Sequence, residues 1–213
     1  MKSKIVIVDY GVGNLHNLRR AFEHEKTSVE ISDKPITLKK ADAMILPGVG
    51  SFAAGMRGLK ERGLIDIILK HGLSDKPILG ICLGAQLLLD RGYEFGEHSG
   101  LGLLEGDVIN FPPGTGEKIP HIGWNKIVPA HINEWPKTIF QGATPGFYAY
   151  FVHSYVLRPK DEKNILSITE YGSYRFCSSL RKGNIDGCQF HPEKSGVEGL
   201  KIINQFVKLS NSY

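Results

Sequence analysis

No apolar run in this 213-residue chain approaches the length of a membrane span, and the first residues lead into a strand pattern rather than the apolar core of a signal peptide. Cysteine is scarce: Cys82, Cys177 and Cys188 are odd in number and lack metal-ligand spacing. A disulfide framework and a zinc site are therefore excluded, and no metal is expected. Net charge is modest at +4, with Lys and Arg scattered rather than bunched beside aromatic residues, so nucleic acid is not an implied partner. Gly11-Val-Gly13 lacks the third glycine of a dinucleotide fingerprint, because position 16 is His16. That removes a nicotinamide site, and no other cofactor is called for. No repeat, low-complexity segment or charge-block linker divides the chain. With 41% hydrophobic residues, the expectation is one soluble, cytoplasmic domain over residues 1–213.

What is present is a strong alternation of strand and helix patterns. Lys4–Asp9 reads as a central parallel strand, and Leu15, Leu18 and Phe22 give the following segment, Asn14–Glu25, one apolar helical face. Val29 and Ile31 mark a second strand, Ala41–Leu46 a third, and residues 51–71 carry two helical patterns. The stretch Pro77–Leu89 begins as a buried strand, passes through a glycine-flanked Cys82 and continues as a helix. From Glu105 onward, Gly and Pro clusters separate short strand-like runs. Tyr148–Tyr155 reads as one aromatic strand, Arg175–Arg181 and Ile185–Phe190 as a hairpin, and Leu200, Ile203, Phe206 and Val207 as a closing helix. The fold class is therefore α/β: a doubly wound, mostly parallel sheet with helices on both faces and an added antiparallel region in the C-terminal half. Ligands of such sheets sit beyond the carboxyl ends of the strands, where Pro47-Gly48-Val49-Gly50 and Cys82 both fall.

A cysteine on a sharp strand-to-helix turn is a nucleophile elbow with sulfur. It needs a base and a group to orient that base, and Gln189-Phe-His191-Pro-Glu193-Lys-Ser195 supplies both just after a strand. His191 and Glu193 alternate in an extended segment and so project to one side. From residue types alone, a buried structural cysteine and an ordinary His-Pro-Glu turn stand as the alternatives.

Gly80-Ile-Cys82-Leu-Gly84 with Gln86, the Pro47–Gly50 loop and Phe190–Ser195 resemble the signatures of class I glutamine amidotransferases across nearly the whole chain. Val8–Leu15, Pro120–Asn125 and Tyr150–Tyr155 further resemble the glutaminase subunits of imidazole glycerol phosphate synthases. The resemblance implies that Cys82 attacks the side-chain amide of L-glutamine, that His191 and Glu193 complete a triad, and that backbone N–H groups of Val49 and Leu83 hold the oxyanion. It also implies that Gly48, Gly50, Gln86, Glu94 and Ser154 form the substrate pocket. A (βα)8-barrel cyclase is the implied partner in a heterodimer, receiving ammonia through a channel, with Asn14, Asn17, Trp124, Tyr150 and Lys194 at or near the interface. Ala85, Leu89-Asp-Arg91 and Cys177-Ser-Ser179 depart from the usual pattern. A related glutaminase feeding amidino-sugar synthesis is thus the alternative within the class, and a stand-alone cysteine hydrolase the alternative outside it.

Overall fold

The structure, a computed structural model, describes residues 3–131 and 135–212; Met1 and Lys2, at the start of the N-terminal segment, lie outside them. In chain order it runs β1 (Ile5–Val8), α1 (Leu15–His24), β2 (Val29–Ser32), α2 (Pro35–Lys39), β3 (Ala43–Leu46), α3 (Phe52–Glu61), α4 (Ile65–Leu73), β4 (Ile78–Ile81) and α5 (Leu83–Leu87). There follow β5 (Leu89–Gly92), β6 (His98–Ser99), β7 (Leu104–Asn110), β8 (His121–Lys126), β9 (Val128–Pro129), β10 (Tyr148–His153) and β11 (Tyr155–Pro159). The chain closes with β12 (Ile165–Tyr171), β13 (Tyr174–Lys182), β14 (Ile185–Cys188) and α6 (Gly196–Ser210). Among the described residues no helix is long and apolar enough to cross a membrane.

Twelve of these strands share one sheet, in the order β2-β1-β3-β4-β14-β13-β11-β7-β5-β6, with β12 and β9 attached beside β13. The five from β2 to β14 are parallel, and β13 then turns the sheet antiparallel. Alternation along the strands separates two cores. Ile5 and Ile7 of β1 meet Leu18 and Phe22 of α1 and Ile203 and Phe206 of α6, whereas Val6 and Val8 meet Leu38, Leu59 and Ile68 from the helices of the opposite face. Each such buried Leu, Ile or Phe side chain contributes about 1.5–3 kcal/mol relative to leaving it in water. This reproduces the expected doubly wound sheet with its antiparallel addition.

Four local expectations need correction, the first being that Glu193 lies not in an extended segment but in a 3-10 turn, Pro192–Lys194, entered through the proline. The elbow helix stops at Leu87, because the carbonyls it would need for another turn are taken by the returning chain: Leu101 N–H donates to Leu87 O at 2.8 Å and Leu103 N–H to Leu88 O at 2.9 Å. Leu89 onward is strand β5. The aromatic stretch Tyr148–Tyr155 is two strands in two sheets: β10 pairs β8 in a separate ribbon, and β11 pairs β7 in the main sheet, with Ser154 at the switch. Finally, α2 was not expected; Pro35 at its start presets the backbone for a helix that shows no long apolar period.

Candidate functional site

All four residues of β4 are buried between β3 and β14, and the chain turns sharply as it leaves the sheet at Cys82. The cysteine sits at φ 51° and ψ −109°, a left-handed conformation that costs a non-glycine residue on the order of 1–3 kcal/mol. Its N–H is held by Cys188 O at 2.7 Å, and its carbonyl accepts from Gln86 N–H at 3.1 Å. The turn also requires glycine at position 84, where a Cβ would lie 1.7 Å from Leu46 O. These contacts fix the backbone of a cysteine that is 5% exposed at the start of α5.

β14 ends beside β4, so the residues that follow it arrive at the same edge. His191 Nδ1 lies 2.8 Å from Glu193 Oε1, with side chains 4% and 6% exposed. The segment is pinned to β10: His191 N–H donates to Tyr150 O at 2.9 Å, and Ser195 Oγ donates to His191 O at 2.6 Å while accepting from Tyr150 N–H at 3.0 Å. With Nδ1 committed to the carboxylate, Nε2 is the ring nitrogen left for chemistry; it is buried and makes no hydrogen bond to the described residues. Burial alone would lower the His191 pKa, but the pull of Cys82 and Glu193 outweighs it and raises the value to about 10.

A pKa raised from its ordinary 6.5 to about 10 stabilises the fold fully below about pH 6.5 and is lost as pH climbs through about 10. The melting temperature of the parent chain should therefore fall more steeply across that window than that of Glu193→Gln, which removes one of the charges raising the pKa. Parallel curves would show that the carboxylate does not hold the imidazolium.

The sulfur opens onto a cavity of about 230 Å³ walled by Val49, Gly50, Leu83, Gln86, Glu94 and Ser154, all expected from the sequence. Pro120, Val152, His153 and Tyr155 line it as well and were not anticipated. Gly48, expected there too, is not part of that lining. Hollows of about 730 Å³ beside Met56 and Lys60, about 570 Å³ beside Trp135 and Phe140 and about 400 Å³ beside Leu200 and Asn204 are larger, but none of the three has a cysteine in its lining. Glu94 Oε2 accepts the Phe52 N–H at 2.6 Å, which ties the cavity floor to the start of α3. Gln86 Nε2 donates to Tyr155 O at 3.3 Å and to Gln189 Oε1 at 3.2 Å. Both amide hydrogens are then spent inside the protein, leaving Gln86 only an acceptor for a ligand.

Leu83 N–H, one of the expected oxyanion donors, donates to Gly48 O at 3.3 Å. Since a trans peptide places C=O and N–H on opposite sides, the Val49 N–H is aimed away from the sulfur. Neither expected donor is open to an oxyanion in this conformation. Tyr10, which the sequence did not single out, holds the loop from beneath by donating its hydroxyl to Pro47 O. A Cβ on Gly48 would meet that hydroxyl at 2.6 Å, so only glycine lets the loop lie this close.

A buried pair of histidines supports the far wall. His153 Nδ1 is 2.8 Å from Tyr155 O, which can only accept, so Nδ1 carries the proton and Nε2 accepts from His121 Nδ1 at 3.2 Å. Burial lowers their pKa values to about 3 and about 4, and both rings are neutral at physiological pH.

Of the residues expected at an interface, Trp124, Tyr150 and Lys194 come together. The two rings meet edge to face at 6.2 Å, and Lys194 Nζ stands 5.5 Å from the centre of the Tyr150 ring. They lie on the outward face of the β8–β10 ribbon with Ile122 and Tyr148, each 60% exposed. Asn14 caps α1, its side chain accepting from Asn17 N–H at 3.2 Å. The turn before it packs on the Pro47–Gly50 loop, Gly13 facing Gly48. Among the described residues, no group of His, Cys, Asp and Glu side chains is arranged to hold a metal.

The sequence profile of the family described as glutamine amidotransferase class-I matches residues 6–209. The chain is 46% identical over 210 residues to the imidazole glycerol phosphate synthase subunit HisH of Sulfurimonas denitrificans, covering 97% of this chain and 99% of that protein. The subunit of the same name from Aquifex aeolicus is 45% identical over 207 residues, covering 95% of each chain. A solved structure described as a glutamine amidotransferase aligns with a TM-score of 0.74 at 21% identity, covering 96% of this chain and 98% of that one. PurLQS from Thermotoga maritima aligns at 0.71 and 22%, covering 98% and 99%. At those identities the two structures speak to the fold alone.

Proposed function

Because the chain belongs to the class-I glutamine amidotransferases, we propose that it acts as the glutaminase subunit of an imidazole glycerol phosphate synthase in histidine biosynthesis. The supporting observation is the placement of Cys82, on its strand-end turn, beside a histidine that is itself held by Glu193 at 2.8 Å. Sulfur attacks the side-chain amide carbon of L-glutamine, forming a tetrahedral oxyanion. His191 Nε2 gives its proton to the departing nitrogen, and ammonia leaves a thioester on Cys82. Water adds to the thioester with the same nitrogen as base, releasing glutamate and restoring the thiolate beside a protonated His191. Gln86 and Glu94, both acceptors toward the cavity, suit the ammonium of the substrate, and Gly50 and Ser154 complete the pocket.

Ammonia set free in water would be protonated and lost, so its use calls for a sheltered route to a second active site. The partner is a (βα)8-barrel cyclase subunit seated on the ribbon face around Trp124, Tyr150 and Lys194, and the complex works in the cytoplasm. The test is to supply L-glutamine to the chain with such a cyclase and its phosphorylated ribulosyl acceptor. Matched release of glutamate and imidazole glycerol phosphate is expected. Glutamate released without any imidazole product, or no glutamate release at all, would overturn the assignment.

A further inference from the structure

Gln189 is fully buried, lies outside the cavity wall, and is used by none of the steps above. Its position in a chain of hydrogen bonds nevertheless has a fixed direction. Tyr155 O is a carbonyl and can only accept; it receives His153 Nδ1–H at 2.8 Å and Gln86 Nε2–H at 3.3 Å. The second hydrogen on Gln86 Nε2 then points to Gln189, which must present Oε1 to it, at 3.2 Å. That leaves Gln189 one orientation, with Nε2 aimed at Cys82 Sγ at 3.8 Å. Among the described residues Cys82 Sγ has one other contact of this kind, Val152 O at 3.8 Å, with His191 beside it. A carbonyl can accept from a protonated thiol but repels a thiolate, whereas an amide N–H favours the thiolate. The two contacts therefore pull the sulfur toward opposite protonation states.

We infer that Gln189 is a positioning residue for the reaction: its amide holds the sulfur of Cys82 in the charged, nucleophilic form against the Val152 carbonyl and locks Gln86 as an acceptor toward the cavity. The inference rests on reading Cys82 as the nucleophile of the proposed glutaminase. Substitution then removes a hydrogen bond to a charged atom and lets the Val152 contact dominate.

The experiment compares the full-length parent with Gln189→Glu, which keeps the shape and the acceptor for Gln86 but puts oxygen where the donor was, and with Gln189→Met. Cys177 and Cys188 are pushed up by burial, so the ultraviolet thiolate absorbance near neutral pH reports Cys82, with Cys82→Ala as blank. Both variants should lose about tenfold in that absorbance and in iodoacetamide alkylation rate. In the complex with the barrel partner, kcat for glutamine should fall in proportion, with KM changed less. Variants that melt cooperatively like the parent yet keep its absorbance and alkylation rate would overturn the inference. If either fails to fold, the Gln189 side-chain amide resonances in the parent decide it, since they must shift when Cys82 is replaced by alanine; unmoved resonances refute the contact. Loss of thiolate in the variants together with a parent that hydrolyses no glutamine would sink the glutaminase reading, and with it the reaction that Gln189 serves, while leaving the hold of its amide on the sulfur intact.

Discussion

Glutamine-dependent synthesis by the complex disappears when Cys82 becomes alanine, by about 10⁴-fold or more, while synthesis fed with ammonium salts keeps its rate. The size of the effect follows from removing the atom that forms the thioester, for which no neighbouring group substitutes: His191 and Glu193 can move protons but present no nucleophile to an amide carbon. The fold should survive. Cys82 already occupies its left-handed conformation, alanine adds no strain beyond it, and the backbone bond from residue 82 to Cys188 O does not depend on the side chain. Parallel assays with glutamine and with ammonia, beside a melting curve, separate chemistry from stability. If the ammonia-fed reaction also failed in a folded complex, the division of labour between the two subunits would be wrong.

The chain alone should hydrolyse glutamine about 100- to 1000-fold more slowly than it does in the complex with the acceptor bound. In the structure the Gly48 carbonyl accepts the Leu83 N–H and so sits where a developing oxyanion would need that donor, and the Val49 N–H is turned away. Rotating the Gly48–Val49 peptide would free the first donor and deliver the second. That rotation changes ψ at Gly48, where glycine makes it sterically accessible, and φ at Val49, which at 43% exposed offers a partner surface something to press on. Single-turnover glutamate release with and without the cyclase measures the ratio. Equal rates would mean that the closed arrangement opens unaided.

Much of this architecture can be read in the sequence. The β-branched run of β1, the two apolar faces of the doubly wound half and the glycine-flanked cysteine depend on local patterns that packing reinforces. The pairing of His191 with Glu193 was legible in their closeness in sequence, but not its geometry: His191 is extended and Glu193 lies in the 3-10 turn Pro192–Lys194, whose tight winding brings the carboxylate back to Nδ1. Other features depend on partners distant in sequence. Leu88 and Leu89 look helical until the 101–104 segment captures their carbonyls, and the aromatic run of β10 and β11 gives no sign that Ser154 divides it between two sheets. The direction of the Gln86–Gln189 amides is set by a carbonyl on β11. The closed state of the Pro47–Gly50 loop is likewise a matter of one peptide's orientation, which residue types do not encode.

The pairing of β4 with β14 also bears on how the protein is made. Cys82 and the Gln189 amide that faces it are 107 residues apart, yet they emerge from adjacent parallel strands. At an ordinary rate of translation the thiol is synthesised about 5–20 s before that partner. Through that interval it has neither the histidine nor the amide, and it behaves as a simple cysteine. Reactivity is therefore acquired late, when β14 closes the sheet, and a chain interrupted before that strand carries a thiol with no activated form to alkylate or oxidise.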